Sequence, residues 1–150
     1  MERIDSLFER GVPYGIALLR VSLGVMLVAH SVLLKYFVFT LPGTAQFFVS
    51  IGLPGPLAYG VFALEAVGGI ALILGVGTRV VSAAIIPVLL GATWAHAGNG
   101  WVFSNPNGGW EYPLYLSVLA VAQVLLGAGA FALSDNQRRP ARAMRAELAA

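Results

Sequence analysis

The sequence predicts an all-α integral membrane protein, a four-helix bundle with a short interfacial helix in its first outer loop. Hydrophobic residues make up 58% of the 150 residues and charged residues only 11%, whereas a soluble domain carries about 25% charged residues. Four apolar segments of about 18–25 residues follow one another, and each is long enough for a helix to cross ~30 Å of hydrocarbon. A bilayer gives such a chain the apolar surroundings that water cannot.

The predicted spans cover about residues 15–39, 57–76, 80–97 and 112–133, within one membrane domain of residues 1–135. Helices are expected because a backbone in lipid must satisfy its own hydrogen bonds. The first span is preceded by MERIDSLFER, which mixes acids and bases. Its apolar run is too long for a signal peptide and lacks a clear cleavage site, so we expect it to be retained.

The two outer connections differ in character. The first, TLPGTAQFFVSIGLPGP, holds apolar residues such as Phe47 and Phe48 between Pro-Gly breakers, which predicts a short amphipathic helix lying in the membrane interface. The second, HAGNGWVFSNPNGGWEYP, is polar and rich in glycine, with Trp94, Trp101 and Trp110 beside or within it. Because indoles favour the membrane–water boundary, we expect this loop to lie against the outer face.

The basic residues predict the orientation. Arg3 and Arg10 precede the first span, and Arg79 lies in the tight second connection. The outer connections carry no Lys or Arg apart from Lys35 at the end of a span. The positive-inside rule therefore places both termini in the cytoplasm. Residues 136–150 form a basic cytoplasmic tail that we expect to contact anionic lipid, with arginines at 138, 139, 142 and 145.

Charge and cysteine content exclude several functions. The net charge is +2, and the basic residues lie at the ends of apolar runs rather than in a patch with aromatics, so we predict no nucleic-acid partner. The absence of cysteine excludes disulfides, thiolate metal sites and iron–sulfur clusters. It also excludes the thiol–disulfide mechanism of four-helix membrane oxidoreductases that reduce quinones. We predict no metal site.

Ionisable residues inside the spans are the candidate functional residues, because a charge near the bilayer centre costs about 2.5–3.5 kcal/mol. Glu65 lies ~12 Å from the outer start of the second span, and His30 lies at a similar depth in the first. His96 closes the third span, Glu111 opens the fourth, and Lys35 ends the first. We expect Glu65, His30, His96 and Glu111 to form a proton-handling cluster in the outer half of the bundle.

Four further residues are candidate contacts for a quinone or another ligand. Lys35, Trp94 and Trp110 lie near the outer side, whereas Arg20 lies in the cytoplasmic half of the first span. Gly68 and Gly69 would let a neighbouring helix come close to Glu65, which predicts a packed interface there.

Each of these residues also has a structural interpretation that the sequence leaves open. In that interpretation Glu65 pairs with Arg20, His30 or Lys35 as a structural lock, or Arg20 extends to the cytoplasmic headgroups. His30 would be a hydrogen-bonded packing histidine. His96 and Glu111 would have capping or interfacial roles at helix ends, and the tryptophans would anchor the protein at the interface.

Five motifs occur in order at residues 18–118: LLRVSLGVMLVAHSVLLK, GTAQFFVSIGLP, LEAVGGIALILGVGTR, HAGNG and GGWEYPLYL. In this ordered set the chain resembles the DoxX family of small bacterial and archaeal membrane proteins. One departure is His30-Ser31, where the family usually has His-Gly; a small residue is kept, so the change concerns local packing. The resemblance implies a four-span bundle in the bacterial cytoplasmic (inner) membrane.

The resemblance also implies two classes of function. The family takes its name from a subunit associated with a terminal quinol oxidase and with thiosulfate:quinone oxidoreductase, and other members are linked to oxidative stress or detoxification. The first hypothesis is a membrane subunit of such a quinone-linked system, acting with a redox partner protein. The second is a non-catalytic anchor for a partner, or a protein that binds or transports a small molecule. A homo-oligomer remains open.

Haem is disfavoured as a cofactor. Axial ligation by two histidines would need His30 and His96 to face each other at one depth. The sequence offsets them by several residues, so quinone is the cofactor that we retain.

Overall fold

The computed structural model describes residues 2–134, with side chains from residue 9 onward, and this range is helical without β-strands. The predicted basic tail at 136–150 lies outside the described residues. The helices are α1 (Glu2–Val28), a π-helix (Ala29–Val38) that continues α1, α2 (Leu41–Ser50), α3 (Leu57–Leu74), α4 (Thr78–Ala95), a 3₁₀ turn (Ala97–Asn99) and α5 (Glu111–Leu126).

The helices have the lengths and surfaces of a membrane bundle. Glu9–Val38, Leu57–Leu74 and Thr78–Ala95 are long and apolar enough to span a membrane, whereas α5 is apolar but shorter. Its 16 residues extend about 24 Å. Large apolar side chains point outward, with Leu18 at 68%, Val80 at 76% and Leu125 at 71% exposure. The prediction of an all-α membrane bundle is confirmed, and the crossing by α5 stays a prediction.

The core joins the four long helices. The α1 helix packs mainly on α3, and α4 packs mainly on α5 and also on α3. Every long helix contributes buried side chains to one continuous cluster: Leu23, Leu27, Leu72, Ile85, Leu89, Leu116 and Ala120.

We name the two ends of the bundle by their connections. The loop end carries α2 and residues 96–110, and the turn end carries the tight connection between α3 and α4. The interfacial helix was predicted between the first two spans, and α2 lies there. Thr40 caps the start of α2, because its Oγ1 accepts a hydrogen bond from Gly43 N at 3.2 Å. This contact satisfies one of the free N–H groups at the N-terminus of the helix. Its placement in a membrane interface stays a prediction.

Two glycines bring α1 and α3 almost into backbone contact. A Cβ atom on Gly69 would lie 2.8 Å from both Gly24 O and Val28 Cγ2, and one on Gly24 would lie 2.7 Å from Gly69 O. Small residues at such crossings are a usual device of membrane helices. The predicted close approach beside Glu65 is therefore present. Gly68 faces α4 instead, where its Cβ would lie 3.2 Å from Val81 Cγ1.

The end of α5 differs from the prediction. The sequence predicts a fourth segment continuing to residue 133, but the helix ends at Leu126. Gly127 and Gly129 have φ angles of 82° and 67°, which glycine adopts readily and which break the helix. Residues 127–134, the return segment, run back along the turn end, where Ala130 N donates to Pro13 O at 2.8 Å.

Candidate functional site

The central feature of the candidate site is an ion pair between α3 and the π-helix that continues α1. Lys35 Nζ, in the π-helix, donates a hydrogen bond to Glu65 Oε2. The Glu65 side chain is 7% exposed and that of Lys35 is 18% exposed. The structure thus selects Lys35 among the three partners that the sequence left open for Glu65. Pairing is what makes a charged group tolerable among apolar helices.

The direction of the two helices explains why this pair forms. Side chains of a helix lean toward its N-terminus. Lys35 lies toward the loop end, so its side chain leans back into the bundle. Because α3 runs the other way, Glu65 leans toward the loop end. The contact between Gly24 and Gly69 lies farther toward the turn end and holds the two backbones close enough for the charges to meet.

The π-helix is the second local device. It covers ten residues and contains both His30 and Lys35. Its i→i+5 hydrogen bonding is rare and is frequent at functional sites, and it places Lys35 about one turn beyond His30. Ser31, at the family's usual glycine position, is buried. Its hydroxyl donates to Leu27 O at 2.8 Å, so this departure leaves no unsatisfied hydroxyl.

His30 links the first span to α5. Its Nδ1 lies 2.9 Å from Met26 O. A carbonyl oxygen only accepts, so a neutral His30 carries its proton on Nδ1 and keeps a lone pair on Nε2. Its ring stacks on that of Tyr112, with centroids 5.5 Å apart and an interplanar angle of 24°. The Tyr112 hydroxyl is buried without a hydrogen-bond partner among the described residues.

An unpartnered buried hydroxyl costs stability, because it has lost water without gaining a replacement. This hydroxyl belongs to Tyr112, whose ring stacks on that of His30. Sequence reasoning missed Tyr112 as a functional candidate. The available signal was its position directly after Glu111 in the GGWEYPLYL motif.

His96 and Glu111 lie in the loop-end connection and hold its backbone. His96 Nδ1 and Asn99 Nδ2 lie 3.0 Å and 3.1 Å from the same oxygen, the main-chain carbonyl of Asn107. Glu111 Oε1 accepts a hydrogen bond from Phe103 N at 2.8 Å. Both side chains bond to backbone atoms of the loop, and among the described residues no side-chain hydrogen bond caps the start of α5, so the capping of helix ends by these two residues is not seen. Among the side chains described from residue 9 to residue 134, no contact joins them to the ion pair, and their proton-handling role stays a prediction.

An open cleft of about 440 Å³ lies where this connection meets α5. Trp101 at its edge packs edge-to-face against Trp110, with ring centroids 4.5 Å apart. The tryptophans predicted as ligand contacts, Trp94 and Trp110, do not line the cleft, and their predicted role is untested. The lining residues are Trp101, Phe103, Glu111, Tyr112, Leu114, Tyr115 and Val118.

Arg20 lies at the turn end, away from the ion pair. Its Nη1 donates to Leu72 O at 2.8 Å and to Ile73 O at 3.2 Å, and its Nη2 donates to Ala130 O at 3.0 Å. The first two acceptors are in the last turn of α3, whose carbonyls have no partner within the helix. Arg20 therefore caps α3 and fastens the return segment. Leu72 is about 10 Å along α3 from Glu65, so no direct pairing with Glu65 is seen.

Comparison with known proteins supports the resemblance. The DoxX family model matches residues 15–98, which include Arg20, His30, Lys35 and Glu65. The "Putative oxidoreductase CatD" of Bacillus subtilis (strain 168) is 41% identical over 78 residues, which are 52% of this chain and 56% of that protein. The chain thus spans about half the length of this curated relative. No solved structure matches. With more than half of its residues matched by the family model, this protein belongs to the DoxX family.

Proposed function

We propose that this protein is a membrane subunit of a quinone-linked redox or detoxification system in the bacterial cytoplasmic membrane, with both termini cytoplasmic. The observation that carries the proposal is the Lys35–Glu65 pair within the apolar bundle. Lys35 lies about one turn from His30, whose Nε2 keeps a lone pair when the ring is neutral. The relative named as an oxidoreductase supports the same class of function.

The proposed chemistry uses the proton-accepting groups of this chain. Oxidation of a quinol to a quinone releases two protons and two electrons. Within the membrane, bound quinol would give one proton to His30 Nε2 and the other to the Glu65 carboxylate, which requires both groups to lie within hydrogen-bond reach of its hydroxyls. The electrons pass to a redox partner protein.

Tyr112 and Lys35 complete the proposed site. The Tyr112 hydroxyl has no partner among the described residues and can donate to a quinone oxygen. The Lys35 ammonium stabilises negative charge that develops on the ring oxygen. His96, Glu111 and Arg20 have structural contacts in the loop and at the end of α3, and we assign them no step of the chemistry.

The test is binding of a short-chain benzoquinone and a naphthoquinone to the purified protein in neutral detergent, followed by tryptophan fluorescence. Glu65→Gln and His30→Ala should each weaken binding about tenfold, the loss that corresponds to one interaction of ~1.4 kcal/mol. Glu9→Gln removes an exposed carboxylate at the turn end and should leave binding unchanged. Absence of quinone binding, or equal binding by the two site variants and the wild type, would sink the proposal.

A second candidate is an anchor for a partner protein. It is favoured by the exposed aromatic residues of the loop-end connection, Trp101 and Phe103. Mild crosslinking in membranes followed by purification distinguishes the two. A stable partner that is lost on Phe103→Ser, together with an absence of quinone binding, would favour the anchor.

A further inference from the structure

The loop-end cleft combines aromatic rings with a single charge. Trp101, Phe103, Tyr112 and Tyr115 supply four rings, and Glu111 supplies a carboxylate. None of the lining residues is a Lys, Arg or His. Aromatic faces carry negative electrostatic potential and attract cations, so the rings and the carboxylate favour the same sign of charge in a ligand.

We propose that this cleft binds an amphiphilic quaternary ammonium ion. Its ammonium group would contact Glu111 and the aromatic rings, and its alkyl chain would lie along α5. This site lies beyond the proposed quinone chemistry and does not depend on it. Tyr112 contributes to both, since its ring separates the cleft from His30.

The hydrogen bonding of the Glu111 carboxylate favours a cationic ligand. One carboxylate oxygen, Oε1, accepts from Phe103 N at 2.8 Å, and the other has no hydrogen-bond partner in residues 9–134. Glu111 is the first residue of α5, where the helix dipole contributes only about half a positive charge. The mouth of the cleft therefore keeps a net negative charge.

The shape of the cleft supports an amphiphile. Glu111, Leu114, Tyr115 and Val118 recur at helical spacing along one face of α5, with Tyr115 and Val118 exposed. The face extends about 10 Å from Glu111 to Val118. A charge at one end and apolar side chains at the other match a headgroup at the membrane interface with its chain directed along the helix.

The number of acceptors favours a quaternary over a primary ammonium group. A primary ammonium carries three N–H donors that need acceptors, and the lining side chains offer one free carboxylate oxygen and two phenol hydroxyls, of which that of Tyr112 is buried. A trimethylammonium group has no donors to satisfy, and its methyl groups pack on aromatic faces. Aromatic cages recognise quaternary ammonium ligands, and the lining of this cleft has the same residue types.

The test is titration of the purified full chain in neutral maltoside micelles with decyltrimethylammonium, decylammonium and uncharged decyl glucoside, followed by tryptophan fluorescence. We expect saturable binding of decyltrimethylammonium, with affinity several-fold above that of decylammonium and decyl glucoside. Glu111→Gln should weaken it about twofold to fivefold, as for loss of one partly exposed charge pair. The Gln side-chain oxygen can still accept from Phe103 N, so this variant keeps the loop contact.

The controls separate the cleft from general partition into the micelle and from the quinone site. Glu9→Gln removes a carboxylate elsewhere, and Trp94→Phe removes an indole outside the cleft; neither should change the affinity. Glu65→Gln should weaken quinone binding without affecting the ammonium ion, and Glu111→Gln should do the reverse. Equal affinity for the uncharged analogue, tighter binding of the primary ammonium, or an unaltered Glu111→Gln titration would overturn the proposal.

Discussion

Replacing Gly69 by Ala should separate α1 from α3 and weaken the ion pair that their contact supports. The added Cβ would lie 2.8 Å from both Gly24 O and Val28 Cγ2, about 0.6 Å inside ordinary contact with each. A backbone carbonyl cannot move aside alone, so the helices must part. Overpacking of this kind costs about 1–3 kcal/mol. Glu65 lies one turn from Gly69 on α3, so the separation acts directly on its contact with Lys35.

The matched control is Gly60→Ala on the same helix, where an added Cβ meets nothing within 4 Å. That change should be neutral or should stabilise the helix by up to about 1 kcal/mol, because alanine has the higher helix propensity. Both variants are compared with the wild type by reversible unfolding in mixed micelles. If Gly69→Ala proved as stable as Gly60→Ala, the close crossing of α1 and α3 would be refuted.

Three further changes test the other contacts by the same unfolding assay. Lys35→Met should lower the free energy of unfolding by about 3 kcal/mol, because it leaves Glu65 buried and unpaired. Adding Glu65→Met should recover most of that loss, since apolar residues often replace a buried pair without cost. Equal stability of the single and double variants would contradict this. Arg20→Lys should lower the free energy of unfolding by about 1.5–3 kcal/mol, because guanidinium hydrogen bonds to the backbone are lost. It should also raise the rate of amide hydrogen exchange in residues 127–134. Unchanged exchange there would argue against the role of Arg20 in fastening the return segment. Tyr112→Phe should be neutral or stabilising by about 1–3 kcal/mol yet weaken quinone binding, and a clear loss of stability would show that its hydroxyl has a partner.

The sequence was sufficient for the helical class because apolar length and charge placement follow directly from composition. Residues 57–76 and 80–97 correspond to α3 and α4 with end differences of about two residues. The end of α5 was not predictable from hydropathy, since GAGAFAL is as apolar as the helix before it. There the left-handed φ angles of Gly127 and Gly129 decide the structure.

The sequence predicts which residues belong to the candidate site better than it predicts which contacts they make. The depth of Glu65 and Lys35 follows from their positions in the spans, and Lys35 is one of the three partners that the sequence leaves open for Glu65. The π-helix was not foreseen, because it changes the helical phase that a constant 100° per residue assumes. Arg20 was grouped with the ligand contacts on charge alone, but its observed acceptors are carbonyl groups at the other end of the bundle. Tertiary contacts of this kind have no local sequence signal.

Photolabelling of the purified protein with an azidoquinone tests most directly whether quinone binds beside the Lys35–Glu65 pair and the stacked His30–Tyr112 rings. The labelled protein is mapped by its peptides, in the presence and absence of excess unlabelled quinone. We expect displaceable label on the helical segments that carry His30, Glu65 or Tyr112, and loss of that label in Glu65→Gln. Displaceable label confined to the turn end, around Arg20 and the return segment, would contradict this placement of the quinone.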